Sequence, residues 1–177
     1  MRLTPPVGPK DHSRGPEDAP ITLVEYGDYE CPHCGRAHPI VKAVQHRLGD
    51  QLRFVFRHFP LSAAHPNAEP AAETAEMAGD EGKFWTMHDL LYENQDALEP
   101  EDLVGYAARL GIDPKWAAEA LRQHTYGERV RASFLSGVRS GVNGTPTFFI
   151  NGSRHDGAWD EASLLEAIRS AAYAELP

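Results

Sequence analysis

The first apolar run, Ile21 to Tyr26, is rich in β-branched residues and has strand character. Beyond a short turn the apolar positions fall at Cys34, Ala37, Val41, Val44 and Leu48, the spacing of three and four that lines one face of a helix. Pro39 lies inside that helix, removes one backbone hydrogen bond to Gly35 and should bend it. Gln51 to Phe59 alternates, with Leu52, Phe54 and Phe56 on one face and Val55 on the other, which predicts a second strand. Strand, helix and strand of this length imply a parallel pair with a right-handed crossover. From Pro66 to Gly141 the period is helical, with Pro100 and the pair Asp113-Pro114 marking helix starts. Thr147 to Ile150 returns to a β pattern. A turn at Asn151-Gly152, a short strand near Arg154 to Asp156 and a helix capped by Asp160 close the chain. The pattern predicts an α/β architecture of β-α-β, then helices, then β-β-α. It forms one domain over residues 1–177, with 62–141 as a helical insert and the proline-rich stretch 1–18 as an irregular arm.

A chain of 177 residues with 41% hydrophobic content supports one well-buried core. Its net charge of -9, without a basic run, argues against nucleic acid or an anionic membrane as partner. No stretch has the length and apolarity of a membrane-spanning helix, and no apolar leader precedes the arm. Taken as written, the protein is expected in the cytoplasm, or in the periplasm or another extracytoplasmic space if a signal has been removed.

Only two cysteines are present, and both sit in Cys31-Pro32-His33-Cys34. As a structural staple so short a ring would contribute roughly 2 kcal/mol in the loop-entropy estimate, against about 4.7 for a loop of about 100 residues. Chemistry explains the motif better. Pro32 suits the first position inside a helix, which makes Cys31 the N-cap residue and puts its sulfur near the free N–H groups and the positive end of the dipole. A thiolate is favoured there, and the thiolate is the nucleophile. Cys34, one turn on and on the buried face, is placed to resolve a mixed disulfide. His33 points toward solvent or toward the Cys31 sulfur, where a donor or cation would favour the thiolate further. Asp28 and Glu30 bring negative charge close before Cys31 and are expected to raise its pKa, weakening the pair as an oxidant. His38, His58, His65 and His88 read as structural or surface residues.

These residues resemble the active site of DsbA-like thiol–disulfide oxidoreductases of the thioredoxin fold. Cys-Pro-His-Cys is the DsbA form of the motif, Glu25 matches their buried acid, and Gly144-Thr145-Pro146-Thr147 resembles the segment that carries their cis-proline. The resemblance implies a thioredoxin core split by the helical insert. It assigns a thiolate-stabilising role to His33 and a proton-exchanging role with Cys34 to Glu25, whose buried carboxyl would have a raised pKa. It also implies a redox-active disulfide between Cys31 and Cys34. Thr145 and a cis Pro146 would offer main chain to an extended substrate segment.

The function this implies is disulfide exchange with protein or peptide thiols, with an unidentified redox partner to recycle the pair, no organic cofactor and no metal. A reductase or isomerase of the same fold is the rival within the class. A non-catalytic module binding zinc or a partner is the rival outside it. The zinc reading is weakened by the lack of a second Cys-x-x-Cys or a histidine pair at finger-like spacing.

Overall fold

In the computed structural model, which describes residues 1–174, five strands form one sheet in the order β1-β3-β2-β4-β5. The strands are β1 (His12–Arg14), β2 (Ile21–Gly27), β3 (Leu52–His58), β4 (Thr147–Ile150) and β5 (Ser153–His155). β2 and β3 are parallel, while β1 joins β3, β4 joins β2, and β5 joins β4 antiparallel. Helix α1 (Pro32–Leu48) makes the crossover between β2 and β3. Between β3 and β4 come α2 (Ala68–Asp80), α3 (Phe84–Glu93), α4 (Pro100–Arg109), α5 (Pro114–Arg122) and α6 (Gly127–Arg139), and α7 (Glu161–Ala174) follows β5. The thioredoxin arrangement with a helical insert, implied by the resemblance, is the fold observed. Residues 175–177, the end of the expected domain, lie outside the described residues.

Alternation along the strands sorts their side chains into two cores. Ile21, Leu23, Leu52, Phe54, Phe56, Phe148 and Ile150 pack against α1, α7 and the insert, whereas Val24, Tyr26, Val55 and Phe149 face the other side with Leu3, Phe59 and Val142. Glu25 falls in the first set, so its carboxyl projects toward α1 rather than toward water.

The arm departs from expectation. His12-Ser13-Arg14 pairs with Phe56, Val55 and Phe54 as β1, although three polar residues give no strand signal. Its remainder is held by Arg57, a buried residue of β3. The guanidinium donates to Asp11 at 2.8 and 2.9 Å, to the carbonyls of Pro5 and Pro6, and to the Tyr26 hydroxyl. Helix starts follow the local chemistry. Asp113 accepts from the Trp116 N–H at 2.8 Å, Glu99 and Asp102 form a capping box around Pro100, and Asp160 accepts from Ser163.

Candidate active site

Cys31 occupies the N-cap of α1 with extended backbone (φ -72°, ψ 122°), and Pro32 takes the first helical position. Pro39 lies inside the same helix as the sequence indicates. Cys31 and Cys34 are both buried free thiols. The Cys31 pKa falls from 9.0 to about 5, chiefly because the Cys34 thiol donates to its sulfur. Burial opposes this, while the Thr145 hydroxyl and the main-chain N–H groups of Cys34 and His33 add to it. Burial pushes the Cys34 thiol well above its usual value, and its bond to Cys31 and the charge of Glu25 push the same way. The two sulfurs are thus chemically distinct: one ionises readily, the other holds its proton.

The 145–146 loop lies against Cys31. The Cys31 sulfur is 3.5 Å from the Thr145 carbonyl oxygen, to which the thiol form donates, and the Thr145–Pro146 bond is cis. A carbonyl contact favours the thiol, whereas the Thr145 hydroxyl, buried and without a hydrogen-bond partner, favours the thiolate. Thr147 closes the loop by donating to Gly144 O at 2.7 Å.

Glu25 is 2% exposed, and its Oε1 lacks a hydrogen-bond partner. Burial, followed by the charge on Cys31, raises its pKa from 4.5 to about 8. It therefore holds a proton at neutral pH and can exchange it across that range. His33 is exposed, and its Nδ1 accepts from Arg36 at 2.8 Å. Its contribution to the Cys31 thiolate comes through its main-chain N–H.

Asp28 and Glu30, expected from their spacing to raise the Cys31 pKa, are both tied into hydrogen bonds, and the Cys31 pKa is lowered instead. The fully buried Asp28 carboxylate accepts from the Glu30 N–H at 2.8 Å, the Leu61 N–H at 2.9 Å and His65 Nδ1 at 2.8 Å. Glu30 accepts from the Asn67 N–H at 2.6 Å and from Asn67 Nδ2, so it sits at the N-terminus of α2, where an anion is favoured. Both acids therefore fasten the 28–31 turn to the segment 61–67. Gln95 fastens it from the opposite side, donating to Tyr29 O at 2.7 Å and to Cys31 O at 3.0 Å. A Cβ at Gly35 would run into the Gln95 amide, so a side chain there would have to displace it. The sequence offers no signal for Gln95 or His65, since each reaches the motif from a distant loop.

For a metal, His38, His88 and Asp89 offer ligand atoms within 4.8 Å of one another. Arg14 and Lys42, at 3.0 and 3.7 Å from the other oxygen of Asp89, already neutralise that carboxylate and oppose a further cation. Among the described residues the two cysteines belong to no group of three such ligands.

The thioredoxin family model matches residues 8–170. Among solved structures, oxidised BdbD from Bacillus subtilis superposes with a TM-score of 0.81 at 26% identity, covering 92% of this chain and 93% of that one. Wolbachia pipientis alpha-DsbA1, at 19% identity and a TM-score of 0.78, shares the fold over 97% of this chain and 96% of its own. A curated relative, the Na(+)/H(+) antiporter NhaA 1 of Salinispora arenicola, is 49% identical over 172 residues, or 96% of this chain. This chain spans 26% of that relative's length. Among the described residues no helix is long and apolar enough to cross a membrane.

Proposed function

The chain belongs to the thioredoxin family and has the DsbA-like form of its fold, and on that premise we propose that it exchanges disulfides with protein or peptide thiols through Cys31. The observation that carries the proposal is the asymmetry of the pair: a Cys31 thiol lowered to about 5 beside a Cys34 thiol raised by burial. Starting from the oxidised pair, a substrate thiolate attacks Cys31 Sγ, forms a mixed disulfide and releases Cys34 as a thiolate. Glu25 supplies the proton that Cys34 takes up. A second substrate thiolate then attacks the substrate sulfur of the mixed disulfide and expels Cys31 as the stabilised thiolate. The substrate has lost two electrons, and the Cys31–Cys34 pair has gained them. A redox partner that accepts two electrons restores the disulfide.

Thr145 and Pro146 form the shelf where an extended substrate chain would lie against Cys31, its main chain pairing with theirs in the manner of an added strand. The direction we infer is oxidation of the substrate, because stabilising the Cys31 thiolate stabilises the reduced enzyme.

The test combines a redox titration of the pair with oxidation of a reduced, unfolded substrate protein. The expected result is stoichiometric disulfide transfer that Cys31→Ser abolishes. Transfer that survives Cys31→Ser overturns the proposal, and a potential in the thioredoxin range, about −270 mV, reverses its direction.

A further inference from the structure

Asp28 is the carboxylate nearest in sequence before Cys31 whose side chain is wholly enclosed, and a buried carboxylate next to a catalytic thiolate would ordinarily work against it. His65 meets it. The ring comes from the segment between β3 and α2 and approaches with Nδ1 at 2.8 Å from Asp28 Oδ2, the oxygen that also accepts from the Leu61 N–H at 2.9 Å. The main-chain oxygen of Asp28 accepts from the Cys31 N–H at 3.2 Å, so one residue links the ring to the turn that positions the nucleophile.

We propose that His65 is a positioning residue for thiol–disulfide exchange: through Asp28 it cancels the buried negative charge beside Cys31 and clamps the 61–67 segment to the active-site turn. The inference rests on the exchange function proposed above and adds to it a residue outside the motif. The ionisable groups around the ring are Asp28 and Glu30 from the turn after β2 and Cys31 from the start of α1. All three carry or acquire negative charge. Burial opposes a charged ring, but the bond to Asp28 and these three charges outweigh it, so the His65 pKa is raised. An imidazolium here pairs directly with Asp28 and also responds to the charge of the Cys31 thiolate, and a cation–anion interaction stabilises both members.

A merely structural clamp and a charge device differ in what they do to the thiolate. His65→Asn keeps an N–H donor near the Nδ1 position and removes the charge. Thiolate absorbance of the reduced protein, followed against pH, gives the Cys31 midpoint in wild type, His65→Asn, Asp28→Asn and the double variant. His65→Asn is expected to lower the acid dissociation constant of Cys31 about threefold or more, the size of losing one charge within a few residues' distance. Asp28→Asn should leave it unchanged or raise it, and the double variant should return toward wild type. An unchanged midpoint in His65→Asn overturns the proposal, as does an equal loss with and without Asp28. If a variant does not fold, wild type decides: the His65 ring, titrated by NMR, should hold its proton to higher pH in the reduced protein than in the oxidised one, where Cys31 carries no charge. Equal titration in the two states overturns the proposal. Failure of wild type to oxidise any thiol substrate would instead strike the proposed function, while the Cys31–His65 coupling would still be read in these titrations.

Discussion

Replacing Glu25 with Gln should make the reduced protein more stable and a poorer catalyst at once. In the folded protein the carboxyl has a pKa of about 8, raised from 4.5 mainly by burial and then by the charge on Cys31. Below pH 4.5 folded and unfolded chains both hold the proton, and Glu25 imposes no pH-dependent cost. Above it the unfolded chain ionises while the folded chain must keep its proton, so stability is lost as pH rises toward 8. The loss grows by about 1.4 kcal/mol per pH unit, reaching about 3 kcal/mol at pH 7 and about 5 kcal/mol above pH 8. Gln has no such proton to hold and nearly the same shape. Urea denaturation of reduced wild type and Glu25→Gln between pH 4 and 8.5 measures the gap, which should be small at the acid end and widen with that slope. In turnover, the step that depends on proton exchange with Cys34 should slow by about 10². A stability difference that does not change with pH would refute the argument, because it would mean that Glu25 titrates alike in the folded and unfolded chains.

The two thiols should differ in rate: alkylation of the reduced protein at neutral pH should modify Cys31 far faster than Cys34, with a midpoint near pH 5, and equal rates would contradict the assignment. The depressed Cys31 pKa contributes stability to the reduced form that is complete above the unfolded thiol value of 9.0 and lost as pH falls through about 5. Relative to the oxidised form, the reduced form should therefore gain at most about 2.7 kcal/mol at pH 7, measured by denaturing both states across that range. Asp11→Ala should destabilise by about 3–5 kcal/mol in urea, since it leaves the Arg57 guanidinium buried without its anion.

The helices and central strands were legible because their burial follows a single period: of the face predicted for α1, Cys34, Ala37, Val41 and Val44 are buried and Leu48 half-buried, and Leu52, Phe54 and Phe56 share the predicted face of β3. β1 was not legible, since His12, Ser13 and Arg14 are all half-buried at an edge and carry no alternation. At the site, the motif placed Cys31 at the start of α1, where it is found, but spacing alone misjudged its electrostatics. Proximity in sequence counts Asp28 and Glu30 as charges near Cys31, while their hydrogen-bond partners, His65 and Asn67, stand 37 residues further along the chain. Gln95 escaped for the same reason, being a polar loop residue whose role comes from where the helical insert places it.

The edges of the sheet carry a last consequence. β1 and β5, the outermost strands, are three residues each, and β5 has its free side partly taken up by Arg2, which bridges Ser153, and by Met1 O, which accepts from the Arg154 N–H. A long exposed strand invites unfolded chains to add themselves edge to edge and seed aggregates. An oxidant of unfolded, thiol-bearing polypeptides, as proposed for this chain, would meet that hazard at every encounter. With both borders short and one of them partly covered, little strand edge is left for an unfolded chain to join, and on the function proposed above a substrate chain would pair instead at Thr145, beside Cys31.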